Sequence, residues 1–158
     1  DLSANGRYAL TGGNDYKAYL WDITTALIIH VFDHPHRVIK VLLDQRAKFL
    51  FTADGQNKAQ IWDAQSGQEV SRLHFIERQL IFTAAKFSKG SKYLLTGSPS
   101  KRLALWDVSS GKVRHEWRVA ARDGPAPQSA VVYAVDFVDS IPVSIASSGN
   151  YEKWAVEE

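Results

Sequence analysis

Neither cysteine nor methionine occurs in the 158 residues. Without a thiol there is no disulfide framework, no thiolate metal site and no cysteine nucleophile, and such a chain suits reducing and oxidising compartments alike. Long apolar runs are missing too. Stretches such as 26–29 and 41–43 fall far short of the roughly 18 residues that suggest a membrane-spanning helix. No block of one charge is present: 19 Lys and Arg stand against 17 Asp and Glu, a formal charge of +2, scattered along the chain. Charge therefore gives no reason to expect a nucleic-acid partner. Asp1 stands where an initiator methionine would, and no signal peptide precedes the first strand-like segment, so the expectation is that something upstream has been removed. The last absence is helical periodicity, which no segment of useful length shows.

What is present is a repeat. Hydrophobic residues make up 45% of the chain and run along its whole length, enough for one domain with a buried core. Leu20-Trp21-Asp22, Ile61-Trp62-Asp63 and Leu105-Trp106-Asp107 recur at spacings of 41 and 44. Ten residues before each Trp, an apolar segment ends in Thr: Thr11, Thr52 and Thr96. After the second and third Trp-Asp pairs comes a polar turn closed by Gly67 or Gly111 and then another apolar segment, at 69–75 and 112–119. Upstream of the Thr motifs lie further strand candidates at 38–43, 80–87 and 130–138, rich in β-branched and aromatic residues. Four short strands per repeat and no helix give an all-β reading.

On these three Trp-Asp pairs and their period of roughly 40–45 residues, the sequence resembles the WD-repeat β-propeller family over essentially its whole length. The resemblance implies blades of four antiparallel strands. It also implies a polar ladder in each blade: a His before the first strand, a Ser or Thr on the second, an Asp in the next turn and the Trp on the third. Such a ladder is chemically sensible, since a buried indole N–H needs an acceptor, a hydroxyl both gives and takes, and a carboxylate fixes an imidazole. Carried over by position, the first repeat has Thr11, Asp15 and Trp21. The second has His34, Thr52 and Trp62, with Gln56 at the Asp position. The third has Thr96 and Trp106, with Arg78 at the His position and Ser100 at the Asp position. A fourth repeat is faint. Matching 135–137 to 85–87 puts Ala146 at the Thr position, Asn150 at the Asp position and Val156-Glu157 where Trp-Asp would stand, leaving Trp154 two residues early.

The whole chain, 1–158, then reads as part of one propeller domain with blade segments of about 1–33, 34–77, 78–129 and 130–158. Three and a half to four blades make an incomplete ring, because each blade buries both faces against neighbours. The expectation is a fragment of a longer propeller, or a half that closes with a second copy.

Sites of chemistry are sparse. His34-x-His36 is the best metal pair, but it lacks further ligands at useful spacing, and His34 already has a place in the ladder. There is no Gly-x-Ser-x-Gly elbow for a hydrolase. Gly12-Gly13-Asn14-Asp15 is followed by no helix that could bind phosphate. Lys101, Arg102, Arg114, Arg118 and Trp117 are scattered over different strands and do not make a nucleic-acid platform. No enzyme activity and no cofactor are expected. The resemblance implies a protein-interaction scaffold that uses the loops entering each first strand and the turns between second and third strands, on a rigid support. Those positions include Asn14, Pro35, His36, Arg37, Gly55, Gln79, Pro99, Ser129 and Asn150, with Arg37 and Gln79 the strongest candidate anchors. The 119–129 loop is a second candidate surface. The alternatives are a propeller holding a small ligand or peptide at its channel mouth, the interaction part of a larger enzyme, and a purely architectural part of a complex.

Overall fold

A computed structural model describes residues 1–56, 58–75, 81–121 and 130–156. Among them there is no helix. The strands are β1 (Tyr8–Gly12), β2 (Lys17–Asp22) and β3 (Leu27–Asp33); β4 (Val38–Leu43), β5 (Phe49–Asp54), β6 (Ala59–Asp63) and β7 (Glu69–Arg72); β8 (Ala84–Phe87), β9 (Tyr93–Gly97), β10 (Arg102–Asp107) and β11 (Val113–Arg118); and β12 (Val132–Val138), β13 (Ile141–Ala146) and β14 (Tyr151–Lys153). Each of these four groups is an antiparallel sheet in which consecutive strands are neighbours. A lone bridge between Leu2 and Ala9 adds a partial strand to the first sheet. The candidate strand at 80–87 starts only at Ala84, residue 80 lying outside the described residues.

The chain divides into two compact units, Asp1–Ile81 with Val108–Gly111, and Phe82–Asp107 with Lys112–Glu158. In the first unit, β2 alternates between half-buried and buried positions along Lys-Ala-Tyr-Leu-Trp-Asp, the period of a strand with one packed face. Its buried side chains Ala18 and Leu20 join Leu10 and Phe32, and together they pack on Val38, Leu43 and Leu50 of the second sheet. Phe32 lies 4.7 Å from the Trp62 ring. In the second unit the same arrangement recurs, with Leu95, Leu103 and Leu105 of the third sheet packed on Val132 and Ala146 of the fourth. Here Trp117 meets Trp154 at 5.9 Å. Removing each of the large aliphatic side chains from water contributes about 1.5–3 kcal/mol.

Two glycines set how closely the sheets approach. A Cβ on Gly12 would lie 2.7 Å from Val38 Cγ1, and one on Gly97 would lie 2.3 Å from Val132 Cγ1. The first strand of the following sheet occupies the space a side chain would need.

The Thr and Trp positions share one register. Thr11, Thr52 and Thr96 pair with Tyr19, Gln60 and Ala104, and the Trp follows two residues later. Each of these sheets has a register shift immediately before that Trp, at Leu20/Trp21, Ile61/Trp62 and Leu105/Trp106, on the side of its last strand. In the fourth sheet Ser144 pairs with Glu152, so the matching positions are Ser144 and Trp154. This corrects the sequence register, which placed Ala146 and Val156 there. The cause is one short turn. Val41 and Thr52 pair, as do Ala85 and Thr96, each eleven residues apart, whereas Val135 and Ser144 pair nine apart. Asp139 and Ser140 make a two-residue hairpin with φ of 51° and 67°, the positive-φ turn that suits the twist of a tight hairpin. Counting onward from 135 therefore misses by two. Ser148, rather than Asn150, takes the position of Asp15.

Candidate protein-interaction surface

The polar interior supports the loops. Trp21 Nε1 donates to Thr11 Oγ1 at 3.0 Å, Trp62 to Thr52 at 2.8 Å and Trp106 to Thr96 at 2.8 Å. The fourth sheet has the same bond from Trp154 Nε1 to Ser144 Oγ at 2.9 Å. The four pairs differ in burial. Trp106 and Thr96 are fully inside, Trp62 is half-buried over a buried Thr52, and Thr11 is exposed. In the first two sheets the Asp that follows the Trp caps the next turn. Asp22 Oδ1 accepts the N–H groups of Thr24 and Thr25, and Asp63 Oδ1 accepts those of Gln65 and Ser66. Burial pulls the Asp22 carboxyl upward, but these bonds and Arg7 outweigh it and hold the pKa below the usual value. The Ser66 N–H leads the same downward shift at Asp63.

His34 is a deeply enclosed titratable group. Its side chain is fully buried, Nε2 lies 2.8 Å from Thr52 Oγ1, and Nδ1 lies 3.9 Å from Asp54 Oδ2. Thr52 thus joins His34 and Trp62 through one hydroxyl. Asp54 Oδ1 accepts the N–H groups of Gln56 and Lys58, both at 3.0 Å, and so shapes the β5–β6 turn. The carboxylate absent at Gln56 is supplied two residues earlier, which a fixed-offset reading of the repeat misses. In the third sheet Ser98 holds that earlier position, with its Oγ 2.9 Å from Ser100 Oγ. Burial pushes the His34 pKa below its usual value; Lys58 adds to this, while Asp54 and Asp33 oppose it. The ring is therefore neutral at neutral pH.

Above this interior, the first unit ties three connections together through the backbone. His34 N–H donates to Tyr16 O at 2.8 Å, Val38 N–H to Gly13 O at 3.0 Å and Gly55 N–H to Arg37 O at 3.1 Å. These bonds link the β1–β2 turn, the β3–β4 link and the β5–β6 turn. Asn14 and Arg37 are exposed there and His36 is half-buried. Around them, Asp15 accepts from the Tyr19 hydroxyl at 2.6 Å, and Lys17 pairs with Asp33 at 2.9 Å. The Tyr19 bond holds the Asp15 carboxyl below its usual pKa, and Asp33 raises that of Lys17. Tyr16, with φ of 70°, Tyr19 and Lys58 belong to the same neighbourhood. The repeat pattern marked one position in each of these turns and so passed over Tyr16 and Lys58, while Tyr19 lies on a strand.

Asn150 is exposed in the β13–β14 turn of the second unit, where its carbonyl accepts from Ala146 N–H at 3.3 Å. Gln79, Ser129, Arg78 and the 122–129 part of the long loop lie outside the described residues. Pro99 is exposed beside Ser98 and Ser100. Another feature that the repeat pattern does not mark is β3, whose Leu27, Ile28, Ile29 and Val31 are all exposed. Among the described residues no group of three or more His, Asp or Glu is placed to hold a metal ion.

Comparison with known proteins gives distant relatives. No family model matches the chain. Mouse Protein Atg16l2 is 27% identical over 115 residues, covering 72% of this chain and 18% of the relative. The U3 small nucleolar RNA-associated protein 15 homolog of Gallus gallus is 25% identical over 116 residues, covering 73% and 22%. The WD repeat domain-containing protein 83 homolog of Dictyostelium discoideum is 25% identical over 112 residues, covering 70% and 34%. The chain thus spans about a fifth to a third of the length of these relatives. Among solved structures, the computationally designed Ika4 protein superposes with a TM-score of 0.72 at 24% identity, covering 96% of this chain and 86% of that one. The designed Ika8 protein gives 0.72 at 22%, covering 95% and 43%. At these identities the likeness to the designed proteins is one of fold.

Proposed function

Because the chain is a WD-repeat protein whose sheets are propeller blades, we propose that it is a non-catalytic protein-interaction scaffold. In this reading the connections carrying Asn14, His36 and Arg37 form part of its binding face, and Asn150 belongs to the corresponding turn of the fourth blade. The observation that carries the reading is the cross-tying of three connections by His34, Val38 and Gly55 N–H groups. Loops fixed in this way lose little conformational entropy when a partner arrives. Arg37 is the best anchor: it is exposed, it forms no salt bridge with a described residue, and a guanidinium is favoured at interface hot spots.

The test is affinity capture by the folded chain from a lysate of its own organism, quantified by mass spectrometry. Arg37→Ala together with Asn14→Ala is expected to remove a defined set of proteins without changing the unfolding curve. Arg114→Ala, on the outer strand of the third blade, should leave that set intact. Equal retention by all three proteins would overturn the assignment.

A further inference from the structure

The outer strands of the first three sheets share one register and can be compared position by position. Leu27, Ile28, Ile29 and Val31 of the first sheet stand where the second has Gln68, Glu69, Val70 and Arg72. The third has Lys112, Val113, Arg114 and Glu116 there. These places are exposed in all three sheets, except that Val70 is half-buried. The second sheet packs on the first and its outer strand is still open, so exposure here belongs to the edge of a sheet and not to the lack of a neighbour. What differs is the chemistry. β7 and β11 carry charged side chains, with Arg72 paired to Glu69 at 3.2 Å and Glu116 to Arg102 at 3.0 Å. β3 carries four aliphatic side chains, between 38% and 65% exposed. His30, the polar residue within that run, is held against Gln65 O at 3.1 Å. The sheet order ends at β3, so no described strand covers its outer main chain.

We infer that β3 is a homotypic docking edge, which pairs antiparallel with β3 of a second copy about a twofold axis beside Ile29. An open strand edge is a template for another strand, and charges such as those of β7 and β11 are a common device that keeps edges single. An occupant of β3 must bring an extended edge that is aliphatic and uncharged, since a Lys or Glu set among Leu27, Ile28, Ile29 and Val31 would lose water without gaining a partner. Among the described strands, β3 itself meets that requirement. β4, β7, β8, β11, β12 and β14 also end sheets, but each contains Lys, Arg, Asp or Glu, and β1 is already bridged by Leu2. The charge of β3, Asp33, lies at its end and is paired with Lys17. Antiparallel pairing about Ile29 sets Leu27 of each copy against Val31 of the other. Aliphatic side chains then meet across the strands and no like charges are opposed. The twofold relation satisfies both edges at once and leaves neither to recruit a third chain. A bulge leaves Ile29 without a partner on β2, which interrupts the main-chain ladder at the axis. A single strand edge also falls in the class of small interfaces, under about 1,200 Å², that form transient contacts. The expected pair is therefore reversible.

Sedimentation velocity of the folded 158-residue chain over a range of concentrations tests this. The wild type is expected to show a reversible monomer–dimer equilibrium. L27Q/I28E/V31R gives this edge the side chains of the second sheet and should lower the apparent association constant by about tenfold or more. Those side chains already occupy the same places in another sheet of the chain, so the fold should persist, and urea unfolding of the dilute variant checks that it does. A second variant reads the geometry. The chain has no cysteine, so I29C introduces a unique thiol at the axis. Mild oxidation should give a disulfide-linked dimer, which needs the two Cα atoms within about 7 Å. V113C, at a comparably exposed aliphatic position of β11, should stay monomeric. A wild type that remains monomeric throughout, a dimer that survives the β3 transplant, or equal cross-linking of I29C and V113C would each overturn the inference. The result is separable from the capture experiment, because Arg37→Ala lies outside β3 and should leave this equilibrium unchanged.

Discussion

Thr52 links two ring side chains of the first unit. Its hydroxyl meets both His34 Nε2 and Trp62 Nε1, so Thr52→Val would remove a partner from each while conserving volume. Leaving a buried donor or acceptor unmet costs about 1–3 kcal/mol, and the expected loss is about 2–4 kcal/mol in urea-induced unfolding. The matching Thr11→Val, on an exposed pair, is expected to cost under about 1 kcal/mol. His34 adds a pH dependence. Burial lowers its folded pKa below the unfolded value, so the unfolded chain binds the extra proton more readily. Stability from this group is therefore complete above about pH 6.5 and is lost as pH falls from there toward the folded pKa. Unfolding midpoints measured between pH 8 and pH 5 should fall for the wild type and fall less for His34→Gln. Identical slopes for the two proteins would refute this. The Trp-Asp pairs, the Thr residues and His34 were legible in the sequence because their spacings are fixed by hairpin register. Asp54 was not, because a carboxylate two residues earlier serves the same turn by another local geometry.

Among the elements, the hairpins decide what a sequence pattern can convey. In the first three blades the connections around the Thr–Trp pair are of constant length, and the strand positions followed from counting. In the fourth, the two-residue turn at Asp139-Ser140 shortens the path by two, and the count failed although Ser144 and Trp154 keep the ten-residue spacing. Strand ends were less legible than strand centres. β8 starts at Ala84 because pairing with β9 runs only from Ala84 opposite Gly97 to Phe87 opposite Leu94, which hydrophobicity alone does not mark. Close packing between sheets makes its own prediction. Gly97→Ala places a methyl 2.3 Å from Val132 Cγ1 and is expected to destabilise by about 1–3 kcal/mol, measured by thermal or urea unfolding. Val132→Ala in the same chain should recover part of that loss. Gly90→Ala, with open space around it but φ of 86°, should cost something through backbone strain alone, which the valine change cannot relieve.

For the molecule as a whole, four sheets of a single repeat are each pinned by an indole donating to a hydroxyl ten residues earlier, and the proposed function is the display of the loops they carry. The proposed binding face was legible only as a set of positions. Which side chains stand free depends on contacts such as Tyr19 to Asp15 and Lys17 to Asp33, which no repeat pattern encodes. The fourth blade is where sequence and structure diverge most, so it gives the sharpest test. Hydrogen exchange of the five indole N–H groups, followed by NMR in the folded chain, measures the pinning directly. Trp62, Trp106 and Trp154 should exchange slowly and Trp21 at an intermediate rate, whereas Trp117, whose indole donates to no described residue, should exchange fastest. Ser144→Ala should release Trp154 alone. If Trp154 already exchanges as fast as Trp117 in the wild type, the fourth sheet is not a blade of this repeat, and the pinning of all four blades by one device is contradicted.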